Sequence, residues 1–163
     1  MTIRLREATP ADAAALAALL AGGTLDPSRE DPADPEPYRD ALAEIAAAAN
    51  AWVLVAEDDD TGEVVGMCQL FVFRHVQERG SRCAEIESAH VQSDRRGQGI
   101  GAMLAAACVE RAQAAGCYRV QLTSNARRHD AHRFWERQGF TASHLGFKRS
   151  LDGPAPGPAR EDR

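Results

Sequence analysis

The feature that most constrains this chain is a run of three glycines at alternate positions, Gly97, Gly99 and Gly101, between an apolar, strand-like segment and an alanine-rich segment with helical periodicity. Glycine has no Cβ atom, so the backbone of such a loop can approach a ligand closely. The helix that begins near Gly101 directs unpaired N–H groups and the positive end of its dipole at the loop. Arg96 adds a cation at the loop entrance. This order of strand, arginine, glycine turn and helix predicts an anion-binding site that suits a pyrophosphate.

Two other phosphate-binding loops do not match the sequence. A Walker-type loop ends in Gly-Lys-Ser/Thr, whereas Gly101 is followed by Ala102 and Met103. The spacing Gly97-x-Gly99-x-x-Ala102 formally fits a dinucleotide-binding turn, which should open a βαβ unit and be followed by an acidic residue about 20 positions later. Here several predicted strands precede the loop, and the next strand, at 120–124, ends without a carboxylate. A nicotinamide site is therefore not expected.

Periodicity and turn signals predict the other helices and strands. Thr9 is the N-cap of a first helix, Pro10 fits its first position, and Gly22 with Gly23 ends it. Further helices are expected at about 38–49, from Gly101 to Gly116, and at about 130–138. The expected strands are 3–6, 52–56, 64–76, 84–91, 120–124 and 142–151. The helix after the glycine loop is expected to bury Met103, Leu104, Ala107, Cys108, Ala112 and Ala115.

The bulk properties exclude several classes of protein. With 163 residues and a net charge of −5, the chain predicts one soluble domain and disfavours a nucleic-acid-binding surface. No long apolar run or N-terminal signal pattern is present, so we expect a cytoplasmic protein without membrane contact. The four cysteines show no Cys-x-x-Cys spacing and are expected to be reduced, small apolar side chains. No metal site is expected. The proline- and glycine-rich tail, residues 152–163, predicts disorder.

The pattern Arg96-x-x-Gly99-x-Gly101 after Val91 resembles the acetyl-CoA-binding motif of the GNAT N-acetyltransferases. The run Trp135-Glu136-Arg137-Gln138-Gly139-Phe140 resembles the end of a later helix in that family. The resemblance covers nearly the whole chain and implies a GNAT domain over residues 1–151. It implies an α/β (α+β) fold, a single strongly twisted mixed β-sheet with helices on both faces.

The resemblance also implies where acetyl-CoA binds as a co-substrate. The central strands splay apart in this family, and the backbone of Ala89, His90 and Val91 would pair with the pantetheine amides. Arg128 stands where many relatives have an asparagine near the cofactor, so it would either contact coenzyme A or be a solvated charge. The pyrophosphate would be held by the N–H groups of Arg96, Gly97, Gln98, Gly99, Ile100, Gly101 and Ala102.

Acetyl transfer to nitrogen needs a neutral amine, and a carboxylate can take its proton. Glu87 lies four residues before Val91 and aligns with a general-base glutamate of some family members, so it is the predicted base. Glu85 is the second candidate, and both could instead be ordinary carboxylates at a half-exposed sheet edge. Strict alternation places both on one face with Ala89 and Val91, and His90 on the opposite face as a packed or surface imidazole.

The later part of the chain departs from the family pattern at one position. Trp135 stands where many members carry a tyrosine that protonates the leaving thiolate, and an indole N–H is no practical acid. Trp135 is therefore expected to shape the thioester pocket instead. His129, His132 and His144 could line an acceptor pocket, and their spacing matches no metal motif.

The predicted function is acetyl-CoA-dependent N-acetylation of an amine of a small molecule or peptide, by direct attack on the thioester. The alternative is a non-catalytic acyl-CoA-binding or regulatory module. The acidic connection at 24–37 borders the acceptor site in this fold, and it would either favour a polycationic amine or be a solvated loop. A homodimer is left open, and no nucleic-acid or membrane partner is expected.

Overall fold

Five strands form one sheet in the computed structural model, which describes residues 2–149 and 151. They are β1 (Ile3–Glu7), β2 (Ala51–Asp58), β3 (Glu63–Arg74), β4 (Arg82–Val91) and β5 (Cys117–Leu122). The strands lie in chain order across the sheet. The first four pair antiparallel, and β4 pairs with β5 in parallel. The predicted mixed sheet is therefore confirmed.

Helices cover both faces of this sheet. In the described residues, the α-helices longer than one turn are α1 (Ala13–Gly23), α2 (Glu36–Ala47), α3 (Ile100–Ala114) and α4 (His129–Arg137). Met67 of β3 packs in one core cluster with Leu16 of α1 and Leu42 of α2. A Cβ atom on the neighbouring Gly66 would instead lie 3.1 Å from Leu104 Cδ1 of α3. Because successive strand residues point to opposite faces, α1 and α2 lie on one face and α3 on the other.

A charged network holds the chain at the start of α1. The buried Asp12 carboxylate accepts hydrogen bonds from the Thr9 backbone N–H at 2.7 Å and from Arg6 Nη2 at 2.7 Å. Arg6 Nε also donates to Glu57 Oε2 at 2.6 Å. The hydrogen bond from Arg6 holds the pKa of Asp12 below its ordinary value. Thr9 is the N-cap of a 3₁₀ turn at Pro10–Asp12, and Asp12 is the N-cap of the α-helix that follows, so the predicted cap lies one turn before α1 itself.

Replacing Asp12 by asparagine should lower the free energy of unfolding by about 2 kcal/mol at pH 7, because the half-buried Arg6 would lose one of its two carboxylate partners and keep only Glu57. The folded-state pKa of Asp12 is lowered. The carboxylate therefore stabilises the fold above its unfolded pKa of about 4, and this stabilisation is lost as the pH falls through the folded value. Urea unfolding of both proteins should show the difference shrinking below about pH 4.

Asp40 provides a matched control, because it is an exposed aspartate in α2. Asp40→Asn should change the free energy of unfolding by less than about 0.5 kcal/mol at pH 7. An Asp12→Asn deficit that stays constant down to pH 2 would contradict the role of the Asp12 charge.

Two predicted features of the fold are wrong. Described residues 142–149 form no strand, and Leu145 and Phe147 are 85% and 92% exposed. Their apolar spacing alone cannot make a strand, because a strand also needs a partner for its backbone hydrogen bonds. Met103 is exposed, because the buried stripe of α3 runs along a different side of the helix, formed by Ile100, Leu104, Ala105, Cys108 and Ala112. The expected tail at 152–163 lies outside the described residues.

The chain divides into two compact units, Met1–Thr123 and Ser124–Arg163. The first unit contains the whole sheet with α1, α2 and α3, and the second contains α4. One domain over residues 1–151 stays a prediction. Among the helices in the described part of the chain, none is long and apolar enough to cross a membrane.

Candidate active site

An extra residue in β4 changes which of its side chains share a face. Met67 of β3 lies opposite His90, and Gln69 of β3 lies opposite Glu87. The two β3 residues are two positions apart, whereas the two β4 residues are three positions apart. This mismatch is a β-bulge, and Ser88 within it has a φ of +50°, in the left-handed region. The bulge therefore interrupts the simple alternation of β4 between Glu87 and His90.

The bulge brings His90 to the same face of the sheet as Glu87. Both lie opposite β3 residues two positions apart, and Met67, the partner of His90, packs toward α1 and α2. The prediction that His90 and Glu87 lie on opposite faces is therefore wrong. The expectation that Val91 shares a face with Glu87 is wrong for the same reason, since Val91 lies opposite Gly66, on the α3 face. Period two holds only in a strand without a bulge.

The two candidate bases differ in their surroundings. Gln121 of β5 donates from Nε2 to Glu85 Oε2 at 2.9 Å, so the Glu85 carboxylate is tied to the neighbouring strand. The parallel pairing of β4 with β5 ends one residue later, at Ile86 with Leu122. Glu87 follows directly and is half-buried. It is thus the carboxylate at the point where the two strands part.

Beyond Ile86, β4 is paired on one side only among the described strands. Its antiparallel pairing with β3 continues to Val91, whereas β5 offers no partner after Leu122. The predicted pantetheine-binding residues Ala89 and His90 belong to this stretch, as does Val91. An extended ligand with amide groups can add to such a strand edge through backbone hydrogen bonds. The separation of the strands therefore suits the predicted role of this segment.

The glycine loop follows this stretch and leads into α3. Gly97 and Gly99 have φ angles of +76° and +86°, and a Cβ atom at either position would meet nothing within 4 Å. Both glycines thus serve a left-handed backbone and leave open space beside it. The first intrahelical hydrogen bond runs from Met103 N–H to Gly99 O at 3.1 Å. The N–H groups of residues 100–102 therefore have no carbonyl partner within the helix and suit a phosphate-sized anion.

The two arginines before the loop have different partners. Arg95 Nη1 lies 3.5 Å from Oδ2 of the buried Asp58, and Arg95 Nη2 lies 3.8 Å from Glu63 Oε2. These contacts tie the loop to the β2–β3 turn. Arg96 donates from Nε to Val91 O at 3.1 Å, which holds its guanidinium between the end of β4 and the glycine loop. Arg96 is thus the cation of the pair that suits a bound anion.

Gly66 is a site residue that sequence analysis missed. Its Cβ atom would lie 3.1 Å from Leu104 Cδ1 and 3.2 Å from Ile100 Cγ2. Because Gly66 has no side chain, the first turn of α3 packs directly on β3, and this contact fixes the helix N-terminus beside β4. A glycine inside an apolar strand is a recognised sign of such a close approach, so the signal was present in the sequence.

In the second unit, Trp135 belongs to an aromatic cluster at the end of α4. Its ring centroid lies 4.9 Å from that of Phe134 and 5.2 Å from that of Phe140, and both contacts are edge-on. Gly139 has a φ of +84°, and Phe140 N–H donates to Trp135 O at 3.0 Å. The Gly-Phe pair thus ends the helix in a left-handed turn. Trp135 therefore has a packing role at the end of α4. Its contact with coenzyme A stays a prediction.

The other predicted polar residues of the second unit lie around the start of α4. Arg128 N–H donates to Asn125 O at 2.9 Å, and His132 Nε2 lies 2.9 Å from the same oxygen. The rings of His129 and His132 are 5.9 Å apart, and His144 Nδ1 lies 2.8 Å from Ser143 Oγ. The predicted roles of Arg128 and these histidines stay predictions. Within residues 2–149 and 151, no three or more His, Cys, Asp or Glu side chains are grouped to hold a metal.

The four cysteines are unbridged, and Cys68, Cys83 and Cys108 are buried. A hydrogen bond with Cys108 and burial hold the pKa of the Cys68 thiol above its ordinary value. Because the thiolate is the reactive form of cysteine, Cys68 suits packing and not nucleophilic attack.

The fold and the site together define an α/β protein with a glycine loop, suited to an anion, beside the open edge of β4. The chain belongs to the Acetyltransferase (GNAT) family, whose family model matches residues 21–140. The predicted family is therefore confirmed.

Two curated relatives are similar to part of this chain. An aminoalkylphosphonate N-acetyltransferase of Salmonella typhimurium is 40% identical over 90 residues, which are 55% of this chain and 58% of that protein. A glucosamine 6-phosphate N-acetyltransferase of Oryza sativa is 35% identical over 94 residues, 57% of each chain. The chain thus spans less than two thirds of the length of these relatives.

Solved structures match nearly the whole chain. A structure described as a transcriptional regulator from Bacillus halodurans has a TM-score of 0.86 and 38% sequence identity, and the match covers 92% of this chain and 100% of that one. Glucosamine-6-phosphate N-acetyltransferase from Arabidopsis thaliana has a TM-score of 0.80 at 19% identity, with 93% and 100% of the two chains covered. The second match shows a shared fold.

Proposed function

We propose that this protein is an acetyl-CoA-dependent N-acetyltransferase that acetylates a primary amine. The observation that carries the proposal is the position of Glu87. It is the half-buried carboxylate where β4 separates from β5, on the strand that leads into the glycine loop. Acetyl transfer from a phosphate-bearing thioester to an amine requires a base for the amine and a binding site for the phosphates. Both would lie on this one continuous segment.

Residues of β4 and the glycine loop would hold acetyl-CoA. The backbone of residues 89–91 would pair with its pantetheine arm, and the N–H groups of residues 96–102, with the Arg96 guanidinium, would bind its pyrophosphate. The left-handed glycines and the open space beside them fit this group. When bound, acetyl-CoA supplies an acetyl group activated as a thioester.

Glu87 would prepare the acceptor by taking a proton from its ammonium group. The nitrogen lone pair becomes available only after this step, and general-base catalysis contributes about 10² to 10⁴-fold in rate. Glu85 is a weaker candidate, because Gln121 already donates to its carboxylate. The assignment of Glu87 thus rests on the separation of the strands as well as on the family pattern.

For the acceptor, we propose a small primary amine that carries a phosphonate or phosphate group. The two curated relatives are named for an aminoalkylphosphonate and for glucosamine 6-phosphate, which share this chemistry. A polycationic amine is the other candidate, because the connection before α2 contains Asp26, Glu30, Asp31 and Asp34. Part of this acidic charge is already engaged, since the Tyr38 hydroxyl donates to Glu30 Oε2 at 2.8 Å.

A screen of amines tests both the activity and the acceptor. Release of free coenzyme A should be measured with (2-aminoethyl)phosphonate, glucosamine 6-phosphate, glucosamine and spermidine. We expect turnover with a phosphonate or phosphate amine, and a much smaller rate with glucosamine, its matched control without the phosphate. A preference for spermidine would overturn the acceptor assignment. Binding of acetyl-CoA without turnover of any amine would favour the regulatory alternative, and a similar structure is described as a transcriptional regulator.

Replacing Trp135 by phenylalanine should change kcat by less than about tenfold. A thiol of the cysteine type has a pKa of about 8.5, so its thiolate leaves readily near neutral pH without an acid. Phenylalanine keeps the edge-on contacts with Phe134 and Phe140, and the main effect should be on acetyl-CoA affinity or stability. Steady-state kinetics and thermal unfolding separate these effects. A 100-fold loss of kcat in a folded variant that binds acetyl-CoA would show that the indole N–H assists the leaving group.

A further inference from the structure

Gly23, the last residue of α1, lies directly against the imidazole of His90. A Cβ atom on Gly23 would lie 2.1 Å from His90 Nδ1 and 2.9 Å from His90 Cε1, closer than side-chain atoms can approach. A Cβ atom on Gly22, one residue earlier in the same helix, would meet nothing within 4 Å. The missing side chain at Gly23 therefore admits the imidazole at the end of α1, and the adjacent glycine has no such role.

This position relates the imidazole to the proposed base. His90 and Glu87 lie on one face, opposite β3 residues two positions apart. Two strand residues span about 7 Å, which two side chains bridge directly or through one water molecule. Of the elements around them, α1 has no charged residue, and the facing β3 residues are Met67 and Gln69. Further along this face, β4 adds Glu85 and Cys83, and β5 adds Arg119, whose Nε donates to Cys83 Sγ at 3.4 Å. Glu87 is therefore the carboxylate nearest to His90 along the face that they share, and Glu85 lies two residues further back along β4, bonded to Gln121.

The end of a helix also favours a cation at this place. The last carbonyl groups of a helix carry its partial negative charge, and α1 ends at Gly23 with Thr24 as its C-cap. An imidazolium beside Gly23 would be stabilised by this charge and by a nearby carboxylate. His90 is also half-buried, so its ring can exchange a proton with water.

The reaction needs a second proton-handling group beside its base. When an ammonium becomes an amide, a nitrogen–carbon bond forms, the carbon–sulfur bond breaks with its electron pair on sulfur, and the nitrogen loses two protons. One proton ends on the sulfur as a thiol, and the other is released to water. Glu87 must give up its proton before the next turnover. On the basis of the proposed function, we propose that His90 positions the Glu87 carboxylate and takes this proton from Glu87 to solvent.

A measurement without any acceptor tests the pairing of the two groups. The pKa of His90 is followed by NMR of the imidazole protons in the full-length protein, with His90→Gln identifying its signal. Glu87→Gln should lower the pKa of His90 by about half a unit or more, because a nearby carboxylate favours the imidazolium form. Glu85→Gln is the matched control and should have a smaller effect. An unchanged pKa of His90 in Glu87→Gln would overturn the proposal.

Kinetics of Gly23 variants test whether the position of the imidazole matters. With (2-aminoethyl)phosphonate as acceptor, His90→Gln and Gly23→Ala should each lower kcat about tenfold and leave the KM for acetyl-CoA unchanged. Gly23→Ala acts only by displacing the ring, so it should cause no further loss in a His90→Ala background. Gly22→Ala should keep the wild-type rate. Alanine is also the better helix former, so thermal unfolding should show both glycine variants folded.

The outcomes separate this proposal from the proposed function. If the wild-type protein acetylates no amine, the proposed function fails, and the NMR titration still decides whether His90 and Glu87 interact. If the wild-type protein is active and His90→Gln retains its kcat and pH profile, the role of His90 is overturned and the N-acetyltransferase stands. Additive losses in the Gly23→Ala, His90→Ala double variant would likewise show that Gly23 does not act through His90.

Discussion

Replacing Gly101 by aspartate should abolish detectable binding of acetyl-CoA. Gly101 is the second residue of α3, and its N–H group is among those without a carbonyl partner in the helix. A carboxylate at this place would repel a pyrophosphate, and its side chain would occupy the space that the phosphate needs. We expect an affinity loss of at least about 100-fold, equivalent to about 3 kcal/mol, measured by isothermal titration calorimetry.

The fold should tolerate this change. Aspartate in the first turn of a helix interacts favourably with the helix dipole, and it replaces a residue with a poorer helix propensity. Thermal unfolding should therefore show a melting temperature equal to or above that of the wild-type protein. Loss of binding in a protein of unchanged stability would identify the glycine loop as the anion site.

Two further variants separate charge from bulk and from position. Gly101→Ala adds a methyl group without charge, and its affinity should lie between those of the wild-type protein and Gly101→Asp. Ala106 is exposed on the same helix, beyond its first turn, so Ala106→Asp adds the same carboxylate away from the loop. It should bind acetyl-CoA normally. Wild-type affinity in Gly101→Asp would remove the basis for placing a pyrophosphate at α3.

The glycine loop was predictable because its signals are local. Strand, arginine and glycines specify the backbone within a few residues, and the structure has Gly97 and Gly99 in the left-handed region with Gly99 as the N-cap of α3. The turn that leads into α1 was predictable for the same reason, since Thr9 and Asp12, three residues apart, form its capping box. Such features depend on few neighbours, so sequence alone fixes them.

The arrangement of side chains on β4 was not predictable in this way. Its bulge puts Ser88 in the left-handed region, and serine at that position gives no sign of it, as a glycine would. The residues before the bulge still alternate normally, and those after it are shifted by one. His90 therefore came to the face of Glu87 through a backbone irregularity that depends on the pairing with β3.

The two errors in the fold have a common physical cause. The alternating apolar residues at 142–149 do not show whether another strand lies beside them. The alanine-rich sequence of α3 does not show which side of the helix packs against the sheet. Leu145 and Phe147 satisfy a strand pattern and are nevertheless exposed, and alanines on several sides of α3 made Met103 look buried. Tertiary contacts decide which side chains are buried. The periodicity of apolar residues predicts burial only where one face of the element is clearly apolar.

Replacing Glu87 by glutamine should lower kcat by about 100-fold or more at neutral pH. Glutamine keeps the size and hydrogen-bonding groups of the side chain, but it cannot accept the proton of the ammonium. The KM for acetyl-CoA should change little, because the glycine loop is intact. The loss should also shrink as the pH rises toward the pKa of the acceptor amine, where more of the amine is already neutral. A pH–rate profile of kcat for both proteins measures each expectation.

Glu85→Gln is the matched control, because the two residues lie two positions apart on the same strand face. Gln121 already holds the Glu85 carboxylate at 2.9 Å, so this carboxylate is poorly placed to take a proton from a substrate. Its replacement should leave kcat within about threefold of wild type, with any larger effect on stability. If Glu85→Gln instead causes the 100-fold loss and Glu87→Gln retains its rate, Glu85 is the base. In that case the separation of β4 from β5 positions the thioester but does not select the carboxylate.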